Sequence, residues 1–319
     1  MVLFLNKSEI QKLDQNIIQT SVEKAYQILL SKDYHMPDRM HVSNGLNSLL
    51  LMPCFSGQYF STKLASVFPE AMKHGQPVVN GVMVLSDNIS GQPLAIMDGA
   101  AVTAQRTGAV GGLGVKLLSP EKVKTAGILG AGVQGFSQAR YLMFNRRIET
   151  LYLYDLNPEM AENMIKKLKQ EFDGVDYIIL KTAEELVERS KVIIATTTSH
   201  TPLFNTEPEN IKGKTFISIG SYRPDMQEFP DDVIKLADDV YVDTFFAIQE
   251  SGDIATPLKR NVVIKEKIKE FSSLFEKNKY AENKTVFFKS VGMGLFDLTV
   301  SSAIYHVALE KKIGHIIDF

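Results

Sequence analysis

The run Gly130-Ala-Gly132-Val133-Gln134-Gly135 has the residue types and spacing to hold a diphosphate. An apolar stretch ending at Leu129 enters it, and a helical pattern leaves it. In such a strand–turn–helix unit Gly130 permits the tight turn, Gly132 lets the backbone approach a pyrophosphate, and Gly135 lets the helix pack closely on its strand. The helix N-terminus then offers unpaired N–H groups and a partial positive charge to the phosphates. A second strand pattern, Thr150-Leu-Tyr-Leu-Tyr-Asp155, ends in a carboxylate 20 residues after Gly135. A ribose-binding acid is expected there. Such an acid accepts from both ribose hydroxyls and repels a 2′-phosphate, and Leu156-Asn157-Pro158 supplies no arginine to pair with one. The cofactor expected is NADH, with NADPH left open.

Other chemistry finds less support. The histidines, carboxylates and Cys54 lack metal-ligand spacing, so no metal is expected. There is no nucleophile elbow and no phosphotransfer loop. His200 follows the run Thr196-Thr197-Thr198 and His74 lies beside Gly75, but neither has an identifiable partner. Taken alone, Arg39 reads as a solvated loop cation, Lys63 as a strand lysine and Arg106 as a helix-surface charge.

The totals set the context for these residues. A chain of 319 residues with 45% hydrophobic and 23% charged side chains suits a globular protein of two domains or one large one. A net charge of −2 gives no argument for nucleic acid or an anionic membrane as partner. One cysteine excludes an intrachain disulfide and fits a reducing compartment. The N-terminal Met1-Val-Leu-Phe-Leu-Asn6 is too short for a signal h-region, and no apolar stretch reaches the ~20 residues needed to span a bilayer. The localisation expected is cytoplasmic.

The elements that must position these residues follow from patterning. Residues 2–5 read as a short strand, and Asn6 with Glu9 as a capping box. Ile10, Leu13, Ile17, Val22, Tyr26 and Leu29 form a helical stripe to about residue 31. Pro37 and Asp38-Arg39 fall in a polar connection. Strands at 46–52, 59–68, 78–86 and 93–97, separated by Gly and Asn turn signals, predict an antiparallel meander with Lys63 on the face opposite Phe60, Thr62 and Leu64. Asp98-Gly99 starts a helix to about Leu118, whose glycines imply that a backbone or ligand packs close. Thr103, Arg106 and Thr107 project from one face of it. Ser119-Pro120 ends it and marks a boundary. From 124 onward strands at 124–130, 150–155, 176–181, 191–197, 214–219 and 239–243 alternate with helical patterns, which predicts a doubly wound parallel sheet. The helix expected at about 294–310 is amphipathic and closes the chain. The fold expected is α/β: a Rossmann domain over 119–291, and an α+β substrate and dimerisation domain built from 1–118 and 292–319.

Six blocks in order resemble the ornithine cyclodeaminase/mu-crystallin family over nearly the whole length. They are Ser61-Thr-Lys63-Leu, Gly91-Gln-Pro-Leu-Ala-Ile-Met-Asp98-Gly, Thr103-Ala-Gln-Arg106-Thr107-Gly-Ala, Gly130-Ala-Gly132-Val-Gln134, Ser218-Ile-Gly220-Ser-Tyr-Arg-Pro-Asp225-Met-Gln-Glu228 and Ser290-Val-Gly-Met-Gly-Leu-Phe-Asp297-Leu. The resemblance implies a homodimer and a small imino or amino acid substrate. It maps three cations onto Arg39, Lys63 and Arg106 as the grip on a substrate carboxylate, which suits the planar fork of arginine. It places Arg106, Thr107, Gly130, Gly132, Val133, Gln134, Asp155, Thr196 and Thr197 around the cofactor. Lys63 is the candidate catalytic residue: hydride addition to an imine needs a protonated C=N, and crowding by Arg39 and Arg106 would lower its pKa toward a useful range.

One departure from the family pattern bears on the reaction. Its cyclodeaminases carry an Asp two residues past the glycine matching Gly220, where this chain has Tyr222, a weaker base, expected to contact substrate. The segment Gly220-Ser-Tyr-Arg-Pro-Asp225 is instead similar to the ketimine reductases and mu-crystallin. The reaction expected is reduction of a cyclic ketimine carboxylate, Δ1-pyrroline-2-carboxylate to L-proline foremost. Ornithine cyclodeamination, amino-acid or opine dehydrogenation, and a non-catalytic ligand-binding role are the alternatives. Glu70 stands where many relatives have Asn, which leaves contacts there open.

Overall fold

Asn6 fixes how the chain begins. Its side chain accepts from the N–H groups of Ser8 and Glu9, and the Glu9 carboxylate accepts from Asn6 N at 2.8 Å, the capping box expected. The computed structural model describes residues 1–276 and 283–318. It divides into two compact units, Met1–Arg106 with Gly292–Phe319, and Thr107–Val291.

In the first unit the chain runs β1 (Val2–Leu5), α1 (Lys7–Gln11), α2 (Gln15–Ser31), β2 (Met40–Asn44), β3 (Asn47–Ser56), β4 (Tyr59–Val67), β5 (Val79–Asp87) and β6 (Pro93–Asp98) into α3 (Gly99–Leu118). The continuous stripe expected from Ile10 to Leu29 is broken. Asp14 caps a new helix, accepting from Asn16 N at 2.8 Å. The break rephases the stripe, so Ile18 is buried where Ile17 was expected. Strand β2 is an addition: all five of its residues are exposed, so it carries no alternation to read, and it pairs with β3 across a turn at Gly45. The meander β3–β4–β5–β6 is antiparallel throughout, as expected.

The second unit holds β7 (Thr125–Leu129), α4 (Val133–Asn145), β8 (Thr150–Tyr154), α5 (Pro158–Leu168), β9 (Asp176–Ile179), α6 (Ala183–Arg189), β10 (Val192–Ala195), β11 (Thr215–Ser218), α7 (Asp231–Leu236), β12 (Asp239–Val242), α8 (Ala247–Glu250), α9 (Gly252–Lys259), β13 (Ile268–Glu270) and β14 (Val286–Lys289). Their order is β13-β12-β14-β11-β10-β7-β8-β9, and every pairing is parallel. The order reverses between β7 and β10, the switch point beyond whose carboxyl ends a doubly wound sheet binds its ligand. Strands β13 and β14 extend the six expected. The first half of α3 belongs to the other unit; from Thr107 on it packs on α4. A Cβ on Gly111 would lie 1.8 Å from Gln138 Oε1 and one on Gly108 would meet Ser137 and Tyr141, so α4 is what approaches these two glycines, while Gly114 faces Phe288 and Ile217 of the sheet.

The chain returns to the first unit as α10 (Gly294–Lys311) and a last strand β15 (His315–Ile317), which pairs with β1 and makes the order β15-β1-β6-β5-β4-β3-β2. Helix α10 packs on α2 and on β3–β5. It is not amphipathic throughout, a correction to the pattern reading: residues 294–301 are all buried, with α2 and β3–β5 among what packs on the helix. Among the described residues no helix is long and apolar enough to cross a membrane.

Candidate functional site

Alternation along β4 turns Ser61, Lys63 and Ala65 inward, and a lysine so placed needs a reason. Lys63 is 3% exposed, with Met52 and Met83 beside it on the neighbouring strands. Its ammonium meets the carboxylate of Asp297, in the first turn of α10, with Nζ 2.8 Å from Oδ2. The other oxygen, Oδ1, accepts from Arg106 Nε at 3.1 Å. Arg106 is placed by α3, which Asp98 starts by accepting from Ala101 N at 2.7 Å. Asp297 is fully buried, at a helix N-terminus that favours its charge.

Arg39 joins from the loop before β2, donating from Nη2 to the Gly292 carbonyl at 3.1 Å. Gly292 has φ +74°, and a Cβ there would sit 2.2 Å from Arg106 Nη1. Glycine at this position lets the Arg106 guanidinium lie against the backbone that Arg39 holds. The three cations inferred from sequence therefore come together in one unit. Asp297, which stood in a matching block without a role, is the anion that organises them. Its signal was an acid inside the apolar run Met293-Gly-Leu-Phe-Asp297-Leu-Thr-Val, where burial demands a cationic partner.

The Lys63 ammonium is pushed down to about 8. The direction is as expected, but the first cause is burial; Asp297 opposes it, and crowding by Arg106 and Arg39 adds less. The Cys54 thiol, on β3, is driven up to about 12 by burial and by the Asp297 charge, so it stays protonated and unreactive at neutral pH.

The second unit holds the glycine turn. Gly130 has φ +95°, and a Cβ on Gly135 would lie 2.0 Å from the Gly130 carbonyl oxygen, so helix α4 sits as tightly on its strand as the motif requires. A Cβ on Gly132 would meet nothing within 4 Å, which is open space in front of the helix start. No side chain caps that start. Val133 is 69% exposed there, and the buried Gln134 Oε1 has no partner among the described residues. Asp155, just past β8, accepts from Ala131 N at 2.7 Å through Oδ2 and from Asn157 N at 2.8 Å through Oδ1. Each oxygen keeps a lone pair for a ribose hydroxyl. Thr196 Oγ1 donates to the Gly130 carbonyl at 2.9 Å, and Thr197 is held by Glu228. The Thr107 carbonyl accepts from Gln138 Nε2 at 2.7 Å. Open space before uncapped N–H groups, with a carboxylate fixed beside them, fits the diphosphate and ribose of a dinucleotide.

The remaining candidates lie in the loops of this unit. Tyr222 is half-buried. Asp225 holds Arg223 by two contacts, at 3.0 and 2.9 Å, and its backbone carbonyl lies 2.8 Å from Nδ1 of the exposed His200. Asp225 is thereby committed to its own loop. In the first unit Glu70 pairs with Lys73, and both are exposed. Among the described residues no group of three His, Cys, Asp or Glu could hold a metal ion.

Comparison with known proteins bears on the family and the fold. The model of the ornithine cyclodeaminase/mu-crystallin family matches residues 5–312. A Δ1-pyrroline-2-carboxylate reductase of Bacillus cereus is 31% identical over 284 residues, 87% of this chain and 86% of that protein. The structure of the Thermococcus litoralis Δ1-pyrroline-2-carboxylate reductase with NADH and L-proline superposes with a TM-score of 0.92 at 29% identity, covering 99% of this chain and 100% of that one. An archaeal alanine dehydrogenase dimer with bound NAD gives a TM-score of 0.91 at 25% identity, covering 100% of this chain and 99% of that one. With its motifs, its two units and nearly its full length matched, this chain belongs to the ornithine cyclodeaminase/mu-crystallin family.

Proposed function

We propose that the chain is an NADH-dependent reductase of a cyclic ketimine carboxylate, converting Δ1-pyrroline-2-carboxylate to L-proline. The observation that carries this reading is the buried Lys63–Asp297–Arg106 cluster, with Lys63 held near 8. Asp297 takes the Nε edge of Arg106, leaving the Nη groups for a substrate carboxylate, with Arg39 as the second cation. Lys63 Nζ is then the proton source for the imine nitrogen: an acid near 8 is charged at neutral pH yet weak enough in its hold on the proton to give it up. Bound NADH supplies the two electrons and the hydrogen that reach the imine carbon. Lys63 recovers its proton from solvent, and Asp297 steadies the ammonium before each turnover. Asp155 and the glycine turn would hold the ribose and diphosphate. The stretch Leu156-Asn157-Pro158 supports NADH over NADPH: it holds no Lys or Arg to pair with a 2′-phosphate, Leu156 is 91% exposed and Asn157 caps α5.

The relatives with these names support the substrate, and the substitution of Tyr222 for the cyclodeaminase acid favours reduction over ornithine cyclisation. A substrate panel decides the matter. NADH consumption with Δ1-pyrroline-2-carboxylate is expected, and ornithine should yield no proline. Saturable NADH binding without turnover on any imine or keto acid would overturn the proposal in favour of a binding protein.

We further propose that the protein works as a homodimer through the outer face of the first unit's sheet. Met40, Val42, Leu49, Phe55, Leu64 and Val82 are each 37% exposed or more and lie on neighbouring strands in register. Contiguous apolar surface of this kind is what an obligate interface covers.

A further inference from the structure

Two buried acids in the second unit have no part in the reaction described above. Glu228 and Asp253 are fully buried and share one nearby ammonium, that of Lys289. Glu228 stands apart in what its two oxygens hold. Oε1 accepts from the backbone N–H and the hydroxyl of Thr197, just past β10. Oε2 accepts from the N–H groups of Gly220 and Ser221 at 2.8 and 3.0 Å, just past β11, and lies 3.2 Å from Ser218 Oγ, whose one proton is shared with Asp253. One carboxylate thus ties the backbones leaving two adjacent strands. Asp253 fixes the segment that carries it, accepting from Glu228 N at 2.7 Å, Phe229 N at 3.0 Å and Ser218 Oγ at 2.6 Å. The two loops are so close that a Cβ on Gly220 would lie 2.0 Å from the Thr197 carbonyl oxygen.

The position of this clamp gives it a purpose. Asp155 marks the end of the cofactor cleft over β7 and β8, where the adenosine half of a dinucleotide lies. The other half must cross the switch point and run beyond the carboxyl ends of β10 and β11, where the residues that Glu228 ties stand. Thr196 continues the link back to the Gly130 carbonyl. Four donors, two from Thr197 and one each from Gly220 and Ser221, converge on the two oxygens, which suits an ionised carboxylate; an amide would set its own N–H against one of the loops. Joining two loops for stability alone would not call for a carboxylate buried beside another.

We propose that Glu228 is a positioning residue for the nicotinamide half of the cofactor, holding the backbones of Thr197 and of Gly220–Ser221 at the spacing that receives the ring. Burial, first, and the Asp253 charge push Glu228 up to about 7, while Lys289 and the hydrogen bonds from Thr197 oppose the rise and favour the ionised form. The inference rests on the dinucleotide reading of this unit, not on the identity of the imine.

The test compares NADH with ADP-ribose, which lacks the nicotinamide, by titration calorimetry on the full chain. Glu228→Gln should raise the NADH Kd at least about tenfold, the scale of one lost charge-assisted hydrogen bond, and leave the ADP-ribose Kd within about twofold. It should also shift the emission of bound NADH. Should that variant not fold, Ser218→Ala removes a fully buried hydroxyl that joins Asp253 and Glu228, and is expected to give the same selective effect, about threefold. Equal affinities in variant and parent, or parallel loss of both ligands, overturns the proposal. A parent chain that binds NADH but reduces no ketimine defeats the reductase reading and leaves this test standing. A parent that binds neither ligand defeats the dinucleotide reading and this proposal with it.

Discussion

Replacing Asp297 by Asn removes the carboxylate that Lys63 and Arg106 share and changes little else in shape. At an effective dielectric of about 20, a carboxylate 2.8 Å from Lys63 Nζ is worth ~6 kcal/mol to the ammonium, or about four pK units. The Asn carbonyl and entering water recover part of this, so a fall of about two units is the expected outcome. Lys63 would then titrate near 6 rather than at about 8. The assay is a pH profile of kcat/KM for the ketimine, read by NADH consumption. In the parent, activity requires the charged lysine and should fall as pH rises through about 8. In Asp297→Asn that limb should move to about pH 6, so that near neutrality roughly one molecule in ten is protonated and the rate drops about tenfold. Lowering the pH should restore most of it. A limb that stays near 8, with the rate reduced equally at every pH, would refute the assignment of the proton to Lys63. The variant should also melt earlier, by about 3–5 kcal/mol in stability, because Arg106 and Lys63 lose their buried counter-charge.

Other changes test other parts of the site. Lys63→Met should cut kcat by about 10²–10⁴ while NADH binding, measured by calorimetry, is retained; near-normal turnover would remove Lys63 from the mechanism. Asp155→Ser should weaken NADH by about tenfold and narrow its preference over NADPH, and a parent enzyme already favouring NADPH would overturn that assignment. Leu64→Lys, on the outer sheet face where Leu64 is 38% exposed, should yield monomers by sedimentation; a parent that sediments as a monomer would dispose of the proposed interface.

The glycine turn, Asp155 and the meander could be read from sequence because each is local: a turn needs its glycine at a fixed place, and alternation reports one buried face. The helix break at Asp14 is also local, but its capping signal competes with an apolar stripe that runs on through it. Strand β2 was illegible for the opposite reason, being exposed on all five residues. Asp297 and Glu228 mark a different limit. Each is a charge inside an apolar or loop context whose partners lie far along the chain, Lys63 for one and Thr197 for the other. Sequence can say that such an acid must have a partner, but only the fold chooses which.

Cys54 is the sole thiol of the chain, and it lies in the core of the first unit with its Cβ facing the start of α10. A thiol so held cannot meet a maleimide or disulfide reagent until that core opens. Its labelling rate in the native protein therefore clocks the local opening of the unit that carries Lys63 and Asp297, with no mutation needed. A substrate carboxylate that binds the cations should slow that clock, and the slowing would measure affinity without any turnover.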